Sequence, residues 1–333
     1  MKSIVTGGCG FIGSHLVELL LEEGHEVTVF DNLSTGRIEN LKHLETNKNL
    51  KIIIGDLSNI SSLDECVSTS DFIFHLAALA DIVPSIVDPH KYYITNVVGT
   101  VNLLELARKH NIKKFVYAAS SSCYGVPSQY PTPETAKIEP LYPYAYTKWA
   151  GEHVVLFWNK IYRIPVISLR LFNVFGPRSR TTGTYGAVFG VFLAQKLNNL
   201  PMTIIGDGKQ TRDFTFVTDV ARAFLLAAYC EHQNLVLNVG SGKTYSINYL
   251  AELLGGKKTY IPKRPGEPDI TFADNSLIKR ILNWSPEIDF ESGVNKMLKS
   301  IEYWKDAPAW TANSIKEATQ EWFMYLGNEH DPK

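Results

Sequence analysis

Short runs of apolar and β-branched residues alternate with longer amphipathic segments through the first half of the chain. The runs predict β-strands at residues 3–6, 26–30, 50–54, 71–75, 114–118 and 166–170. Apolar residues that recur with a helical period predict helices at residues 11–23, 60–67, 93–110 and 143–159. Alternating strands and helices are typical of a mostly parallel sheet covered on both faces. We therefore predict an α/β fold with a doubly wound parallel sheet, whose ligands bind at the carboxyl ends of the strands.

The second half of the chain is richer in irregular sequence. Gly and Pro interrupt it at residues 176–177, 206–208 and 262–268. A helical pattern followed by an apolar run near residues 217–240 predicts one more helix-strand unit that returns to the sheet. We expect a sheet domain over residues 1–170, joined by that unit, and a smaller lobe mainly over residues 171–333.

Composition and charge limit the partners of the protein. The 333 residues are 45% hydrophobic and 20% charged, which is typical of a globular protein, and the formal net charge is -1. A chain with no net positive field is not expected to bind nucleic acid or an anionic membrane surface. No run approaches the roughly 20 apolar residues of a membrane-spanning helix. Four scattered cysteines without a CxxC pair predict reduced thiols and a cytoplasmic protein.

A glycine-rich turn follows the first predicted strand and opens the first predicted helix. This context is the one that a dinucleotide-binding turn requires, because glycines let the backbone approach the pyrophosphate and the helix start offers free N–H groups. Asp31 ends the second strand, where a carboxylate can accept hydrogen bonds from ribose hydroxyls. No basic residue follows it at once to receive a 2′-phosphate, which favours NAD over NADP. The predicted NAD-binding residues here are Gly7, Gly10, Phe11, Ile12, Gly13, Asp31 and Asn32.

Further cofactor contacts are expected at the ends of the next two strands. Asp56, followed by Leu57, is placed to accept a hydrogen bond from the adenine amine, and an ordinary surface turn is the alternative for it. Small residues around Ala77 would let the cofactor lie close to the fourth strand. For His75 a buried structural role is favoured, since no metal-binding cluster is near it and no metal is expected.

Tyr144 and Lys148 are four residues apart behind Pro143, which suits the first turn of a helix. An ammonium beside a phenol stabilises the phenolate and lowers the tyrosine pKa from about 10, which makes a general base. The same spacing also occurs on solvated helix faces. Ser120 begins a hydroxyl run after the fifth strand and can reach the same reacting atom, which favours a catalytic site.

These motifs together resemble the extended short-chain dehydrogenase/reductase family, in particular its nucleotide-sugar epimerases and dehydratases, and most closely the UDP-sugar 4-epimerases. The resemblance covers the chain to about residue 305. The motifs that carry it are TGGCGFIG, HLAA, NVVGTVNLLELA, AASSSCYG, PYAYTK, RLFNVFGP, GDGKQTRDF, VTDVARA, NVGSG and RPGEPD.

The resemblance implies a Rossmann-type NAD domain and a C-terminal lobe that closes over a nucleoside diphosphate-sugar. In that family Tyr144 would take the proton of the sugar 4-hydroxyl while hydride leaves carbon 4 for the nicotinamide. Ser120 would bond the same oxygen, Lys148 would hold the nicotinamide ribose, and Asn96 would belong to the cofactor site. The resemblance also implies a homodimer, formed by the helices at 93–110 and 143–159, and a role in polysaccharide biosynthesis.

Substrate contacts also follow from motif positions. Asn173, Arg212 and Arg264 would bind the diphosphate, since an arginine fork can bond phosphate oxygens in pairs. An ordinary surface ion pair is the alternative for each arginine. Thr271, seven residues after Arg264, would flank carbon 2 of the sugar and leave room for an acetamido group. Ser121 and Ser122 complete the predicted substrate contacts.

Two other functions compete with the 4-epimerase. A 4,6-dehydratase needs acidic residues directly after the serine that contacts the 4-hydroxyl, and Ser121 and Ser122 cannot serve as ionised bases. A carboxylate such as Asp81 or Glu134 could enter from another loop. A silent NAD sensor has no need of a tuned phenol.

Two segments have no counterpart in the family pattern. The first spans residues 179–190 and is interpreted as a substrate or subunit contact, while Arg178 and Arg180 are left without a role. The second is the tail at 307–326, where Trp310 and Trp322 are interpreted as core packing.

Overall fold

The computed structural model describes residues 1–179 and 187–327. The β-strands of these residues are β1 (Lys2–Thr6), β2 (Glu26–Asp31), β3 (Leu50–Ile54), β4 (Phe72–His75), β5 (Lys114–Ser120), β6 (Val166–Leu171), β7 (Asn173–Phe175), β8 (Met202–Ile205), β9 (Thr211–Arg212), β10 (Phe214–Phe216), β11 (Leu235–Val239), β12 (Tyr245–Ser246) and β13 (Lys258–Ile261).

The α-helices are α1 (Phe11–Glu22), α2 (Ile60–Ser68), α3 (Ile82–Val87), α4 (Pro89–Tyr93), α5 (Gly99–Lys109), α6 (Pro143–Tyr162), α7 (Val188–Leu197), α8 (Val217–Tyr229), α9 (Ile247–Leu254), α10 (Ser276–Leu282), α11 (Phe290–Lys299), α12 (Ala312–Ala318) and α13 (Gln320–Leu326). A π-helical turn, Ile94–Val98, joins α4 to α5. Across the described residues, no helix combines the length and the apolar character needed to cross a membrane.

Seven parallel strands of the described chain form the central sheet, in the order β11-β6-β5-β4-β1-β2-β3. The chain starts in the middle, moves out to β3, returns to β4 and moves out in the other direction. This is the doubly wound Rossmann-type order, and the predicted fold class is confirmed. Helix α8 and strand β11 return from the second half of the chain, and β11 pairs with β6 at the edge.

Two layers of helices bury the faces of the sheet. On one face α1 and α8 pack together, with Leu16, Val17 and Phe224 fully buried against the strands. On the other face α2, α5 and α6 contribute Leu63, Leu103 and other apolar side chains. Burial of apolar side chains of this size contributes about 1.5–3 kcal/mol each. The sheet is therefore rigid, and its carboxyl edge is a stable platform.

The second lobe is built on aromatic packing. Phe175 stacks on Phe189 with ring centroids 4.7 Å apart, and Phe214 stacks on Phe290 at 5.0 Å. Small strand pairs, β7 with β10 and β8 with β13, surround this core. The tail helix α12 adds Ile315 to the same core. The lobe therefore covers the carboxyl edge of the sheet with α7 and the ends of β7 and β9.

One predicted helix has a different course. Residues 93–110 were expected to form one helix, but the helical segment already begins at Pro89, where the Asp88 side chain accepts a hydrogen bond from the Lys91 N–H group at 3.1 Å. It then passes through the π-helical turn before α5 begins. Helix α3 was not predicted, because Pro84 within it disfavours helix in the sequence.

Candidate active site

A cleft of about 710 Å³ lies between the carboxyl edge of the sheet and the second lobe. The glycine turn, the ends of β2, β4 and β5, and residues of the lobe line it. Every residue predicted to bind cofactor or substrate lines this cleft, except Asn96 and Lys148. The sequence predictions, spread over 265 positions from Gly7 to Thr271, therefore converge on one place.

The glycine turn is shaped by close backbone contacts. Gly7 has a φ of 72°, and a Cβ atom on it would lie 2.7 Å from the Ala77 nitrogen. A Cβ atom on Gly13 would lie 2.2 Å from the Gly7 carbonyl oxygen. Only glycine lets α1 approach the turn so closely. The N-cap of α1 is Gly10, which offers no side chain to the first N–H groups, so they are available to a pyrophosphate.

Asp31 is buried at the end of β2. Its carboxylate accepts hydrogen bonds from the N–H groups of Leu33 at 2.8 Å and Cys9 at 3.0 Å. Burial raises the pKa of Asp31, and these two hydrogen bonds oppose that change. The carboxylate is thereby fixed beside the glycine turn, where a ribose would lie.

Asp56 is exposed at the rim of the cleft, and its role as an adenine ligand stays a prediction. In a turn, one carboxylate oxygen of Asp56 accepts hydrogen bonds from the Ser58 N–H group at 2.9 Å and from the Ser58 hydroxyl at 2.7 Å. Asn32 donates to the other oxygen at 2.6 Å. Hydrogen bonds from the Ser58 backbone and side chain and from Asn32 hold the pKa of Asp56 below its usual value. It is therefore an ionised acceptor in the cleft as well as a turn residue.

His75 has the structural role that the sequence favours. It is buried, with one ring nitrogen 2.7 Å from the Thr6 hydroxyl and the other 2.8 Å from the Thr100 hydroxyl. Burial lowers its pKa to about 3, so the ring is neutral.

Asn96 is the residue that was predicted to belong to the cofactor site by resemblance. It is buried in the π-helical turn and uses its amide on protein groups: it accepts from the Leu79 N–H group at 2.8 Å and donates to the Leu79 carbonyl at 3.0 Å. It also donates to the Thr147 hydroxyl at 3.0 Å. Asn96 therefore joins the loop after β4 to α6 and does not line the cleft.

Ser120 and Tyr144 meet at the sheet edge. Ser120 is the last residue of β5, and Tyr144 lies in the first turn of α6, which begins at Pro143. The hydroxyls of Ser120 and Ser122 are 2.8 Å apart. Burial raises the pKa of Tyr144 above its usual value of 10, and a hydrogen bond with Ser120 opposes that change. Ser120, Ser122 and Tyr144 all line the cleft, so their hydroxyl groups are close to where a substrate would bind.

Lys148 is buried behind this pair. Burial lowers its pKa to about 7, against the opposing charge of Glu152 one turn further along α6. Glu152 itself is held by Arg170 at 2.6 Å and by the Ser168 hydroxyl at 2.8 Å. Burial shifts the pKa of both groups, and the lowering of the Tyr144 pKa by Lys148 stays a prediction.

The predicted substrate residues of the lobe form two pairs. Arg212 lies 2.9 Å from one carboxylate oxygen of Glu267, and Arg264 lies 3.3 Å from the other. Both arginine side chains are largely buried, which excludes the alternative of exposed surface ion pairs. Thr271 donates to the Asn173 side-chain oxygen at 2.6 Å. Arg212, Arg264 and Glu267 together carry a net charge of about +1, so this group of three favours an anionic ligand.

Some residues of the cleft were missed by the sequence analysis. Glu267 belongs to the RPGEPD motif, whose arginine alone was singled out. Tyr142 and Trp322 line the cleft, and Trp322 is also buried, as its interpretation as core packing predicted. Trp310 packs on the aromatic core and also lines the cleft, so the packing interpretation is right but incomplete.

The segment at 179–190 is described in part. Residues 180–186, and with them Arg180, lie outside the described residues. Arg178 donates to Glu18 at 2.7 Å and lines the cleft. Phe189 belongs to the aromatic core of the lobe and lines the cleft as well.

A family model described as GDP-mannose 4,6 dehydratase matches residues 4–297. The chain belongs to this family. Its predicted membership in the extended short-chain dehydrogenase/reductase family is confirmed.

Proteins named as UDP-sugar 4-epimerases are also similar to the chain. A UDP-glucose 4-epimerase of Mycolicibacterium smegmatis is 34% identical over 314 residues, 92% of this chain and 99% of that protein. The structure of a UDP-N-acetylglucosamine 4-epimerase from Methanobrevibacter ruminantium, in complex with UDP-N-acetylmuramic acid, has a TM-score of 0.85 and 35% identity, covering 91% of this chain and 97% of that chain.

A third similar structure contains NAD. The structure of a UDP-glucuronic acid 4-epimerase from Bacillus cereus, in complex with UDP-glucuronic acid and NAD, has a TM-score of 0.85 and 33% identity, covering 91% of this chain and 99% of that chain.

This member of the GDP-mannose 4,6 dehydratase family has hydroxyl groups where a dehydratase would need acids. Ser121 and Ser122 form a short turn directly after β5. Of the two carboxylates that could replace them, Glu134 accepts the Asn238 N–H group at 2.8 Å and does not line the cleft. Asp81 does line the cleft.

Proposed function

We propose that the chain is an NAD-dependent UDP-sugar 4-epimerase that inverts carbon 4 and leaves carbon 6 hydroxylated. The relatives named above bear out the sequence prediction of an NAD-dependent nucleotide-sugar epimerase. The observation that carries the proposal is that Ser120 and Tyr144 both line the cleft at the carboxyl edge of the sheet, where Ser120 is followed by two serines and not by acids.

The cleft fits NAD. The glycine turn and the open start of α1 would hold the pyrophosphate, and Asp31 would accept from a ribose. Asp56 and Asn32 would lie toward the adenine. When bound, NAD supplies the acceptor and donor of hydride at carbon 4.

Tyr144 would exchange the proton of the sugar 4-oxygen. Ser120 lines the cleft beside that phenol and would hydrogen-bond the same 4-oxygen. Lys148, buried one turn along α6 from Tyr144, would hold the nicotinamide ribose and stabilise the phenolate of Tyr144.

The diphosphate would lie between Arg212 and Arg264. Glu267 contacts both guanidinium groups, and diphosphate oxygens would accept paired hydrogen bonds from the arginine N–H groups. A sugar tethered only by its diphosphate can turn over and present its opposite face, which inversion at carbon 4 needs.

We propose that the sugar includes 2-acetamido hexoses. Thr271 is small, and its hydroxyl is fixed between the Asn173 oxygen and the Asp213 N–H group at 3.1 Å. A short fixed side chain at this wall leaves space beside carbon 2. The relative from Methanobrevibacter ruminantium is named for such a sugar.

We also propose a cytoplasmic homodimer that supplies glycosyl donors for polysaccharide biosynthesis. Apolar side chains are exposed along α6 and the π-helical turn, at Ile94, Val98, Phe157 and Ile161. A patch of this kind supports burial by a second copy. The four cysteines are unpaired, as in a reducing compartment.

A 4,6-dehydratase is the second candidate, because Asp81 lines the cleft. Proton NMR of the protein with UDP-glucose and UDP-N-acetylglucosamine distinguishes the two. The proposal expects anomeric signals of the carbon 4 epimer and an unchanged carbon 6. A carbon 6 methyl doublet with a 4-keto sugar would establish the dehydratase. Bound NAD with no turnover on a panel of nucleotide sugars would favour the sensor.

A further inference from the structure

We propose that helix α13 is part of the active site and that Trp322 is a positioning residue for Arg264. The inference rests on the proposed function, since it assumes that Arg264 binds the substrate diphosphate. The family model ends at residue 297, so neither its match nor the family's motifs account for this helix. Trp322 is 2% exposed, yet it lines the cleft.

The indole of Trp322 is fixed against the loop that carries Arg264. Its N–H group donates to the carbonyl oxygen of Pro265 at 2.8 Å, and Pro265 directly follows Arg264. The hydrogen bond is made to backbone, so it orients the ring whatever the neighbouring side chains do. The loop turns at Gly266, whose φ of 68° favours glycine, and it has no strand or helix of its own.

The guanidinium of Arg264 is held from two directions. Its central carbon lies 5.1 Å from the centroid of the Trp322 ring, so the indole covers one face. The carboxylate of Glu267 lies at the edge, 3.3 Å from the Nε atom. An arginine that is covered on one face by an aromatic ring and has a carboxylate beside its edge is restricted in its orientation. The same Glu267 holds Arg212, so both arginines are oriented together.

The indole also reaches the predicted catalytic tyrosine through one neighbour. The Tyr142 ring lies 6.1 Å from the Trp322 ring, at 46°. Tyr142 in turn stacks on Tyr144, with centroids 6.4 Å apart and an interplanar angle of 10°. Trp322 therefore lies between the residue expected to bind the diphosphate and the residue expected to move the proton. The tail that carries it is tied to the lobe, where Gln195 donates to the Trp310 carbonyl oxygen at 2.7 Å.

The function of α13 is then to hold Arg264 in the position that the diphosphate needs before substrate arrives. Without the indole, the guanidinium would lose its stacking surface and the loop would lose the hydrogen bond at Pro265. Preorganised cations bind an anion at lower entropic cost. We therefore expect removal of the indole to weaken diphosphate binding more than it slows proton transfer.

The experiment measures UDP affinity by titration calorimetry, together with KM, kcat and bound NAD. Trp322→Leu keeps an apolar side chain but removes the aromatic face, and we expect UDP affinity to fall about tenfold, KM to rise by the same factor and kcat to stay within about threefold. Trp322→Phe keeps a ring face and should recover most of the affinity. Phe323→Ala changes the next residue of α13, which is 39% exposed, and should leave all values unchanged.

A double variant tests whether Trp322 acts through Arg264. Arg264→Ala alone should weaken UDP binding, and adding Trp322→Leu to it should cause no further loss. If Trp322→Leu weakens UDP binding by the same factor in the wild-type protein and in Arg264→Ala, the inference is overturned. Wild-type UDP affinity in Trp322→Leu would overturn it as well. If Trp322→Leu loses NAD or its native circular dichroism, Trp322→Phe still tests the inference. A Trp322→Phe variant that binds UDP as weakly as Arg264→Ala would contradict a role for the ring face. Failure of the wild-type protein to bind UDP would contradict the proposed function itself.

Discussion

The ammonium nitrogen of Lys148 lies 4.4 Å from the centroid of the Tyr117 ring. Tyr117 in turn donates its hydroxyl to the backbone carbonyl of Lys148 at 3.4 Å. The ring face offsets part of the lost hydration of the buried cation. Burial still lowers the pKa of Lys148 to about 7, so the folded protein favours the neutral amine near physiological pH.

The stability of the protein should therefore rise with pH through the titration of Lys148. Between pH 7 and 10.5 the unfolded chain keeps the lysine proton that the folded chain releases, so the free energy of unfolding increases with pH. Below pH 7 both states are protonated and the contribution is constant. Lys148→Met should remove this slope in urea unfolding measured across the range. Lys160→Met, at an exposed position of the same helix, should retain it.

Tyr144→Phe should fold, keep NAD and lose turnover. Only the phenolic oxygen is removed, and positioned acid-base groups are worth about 10²–10⁴ in rate. The measurement is kcat on the nucleotide sugar, with the absorbance of bound NAD as the check on folding. Tyr146→Phe, an exposed tyrosine two residues on, should behave as wild type. Turnover of Tyr144→Phe near the wild-type rate would refute the proton-transfer role.

Thr271→Tyr should lower the turnover of acetamido sugars relative to plain sugars. The phenol would fill the space beside carbon 2, and one such contact changes specificity by about 1–3 kcal/mol. Thr271→Ser is the matched control, since it can keep the hydrogen bond to Asn173. The ratio of kcat/KM for UDP-N-acetylglucosamine and UDP-glucose is measured. An unchanged ratio in the Tyr variant would show that this wall does not face carbon 2.

Phe157→Glu should convert a dimer into monomers. Phe157 is 48% exposed on α6, and a buried carboxylate at a helix-helix interface is costly without a partner. Sedimentation velocity at micromolar concentration measures the change. Tyr260→Glu places the same charge on another exposed aromatic position, in the second lobe, and should leave the mass unchanged. A wild-type protein that sediments as a monomer would exclude the proposed interface.

Local sequence could predict the glycine turn because strand, turn and helix are consecutive there. Gly7 and Gly13 lie within one motif and contact each other, and the short distance between them requires glycine. The meeting of Arg212 with Glu267, 55 residues away, could not be derived from periodicity. It depends on how the second lobe folds.

The burial of Lys148 and Asn96 illustrates a second limit of sequence analysis. A motif assigns a residue to a site, but it does not tell whether the side chain lines the cleft or supports it from behind. The amide of Asn96 is used by Leu79 and Thr147, both outside its own helical segment. The role of the tail was harder to predict, because Trp322 resembles an ordinary core residue until its contact with Arg264 is known.

The return of β11 to the sheet has a consequence for synthesis on the ribosome. Strand β6 ends at residue 171, but its outer partner β11 begins only at residue 235. The edge of β6 therefore stays without its partner strand while the intervening residues of the second lobe are translated, and an open strand edge invites pairing with other chains. Completion of the NAD domain must wait for the ribosome to pass residue 239.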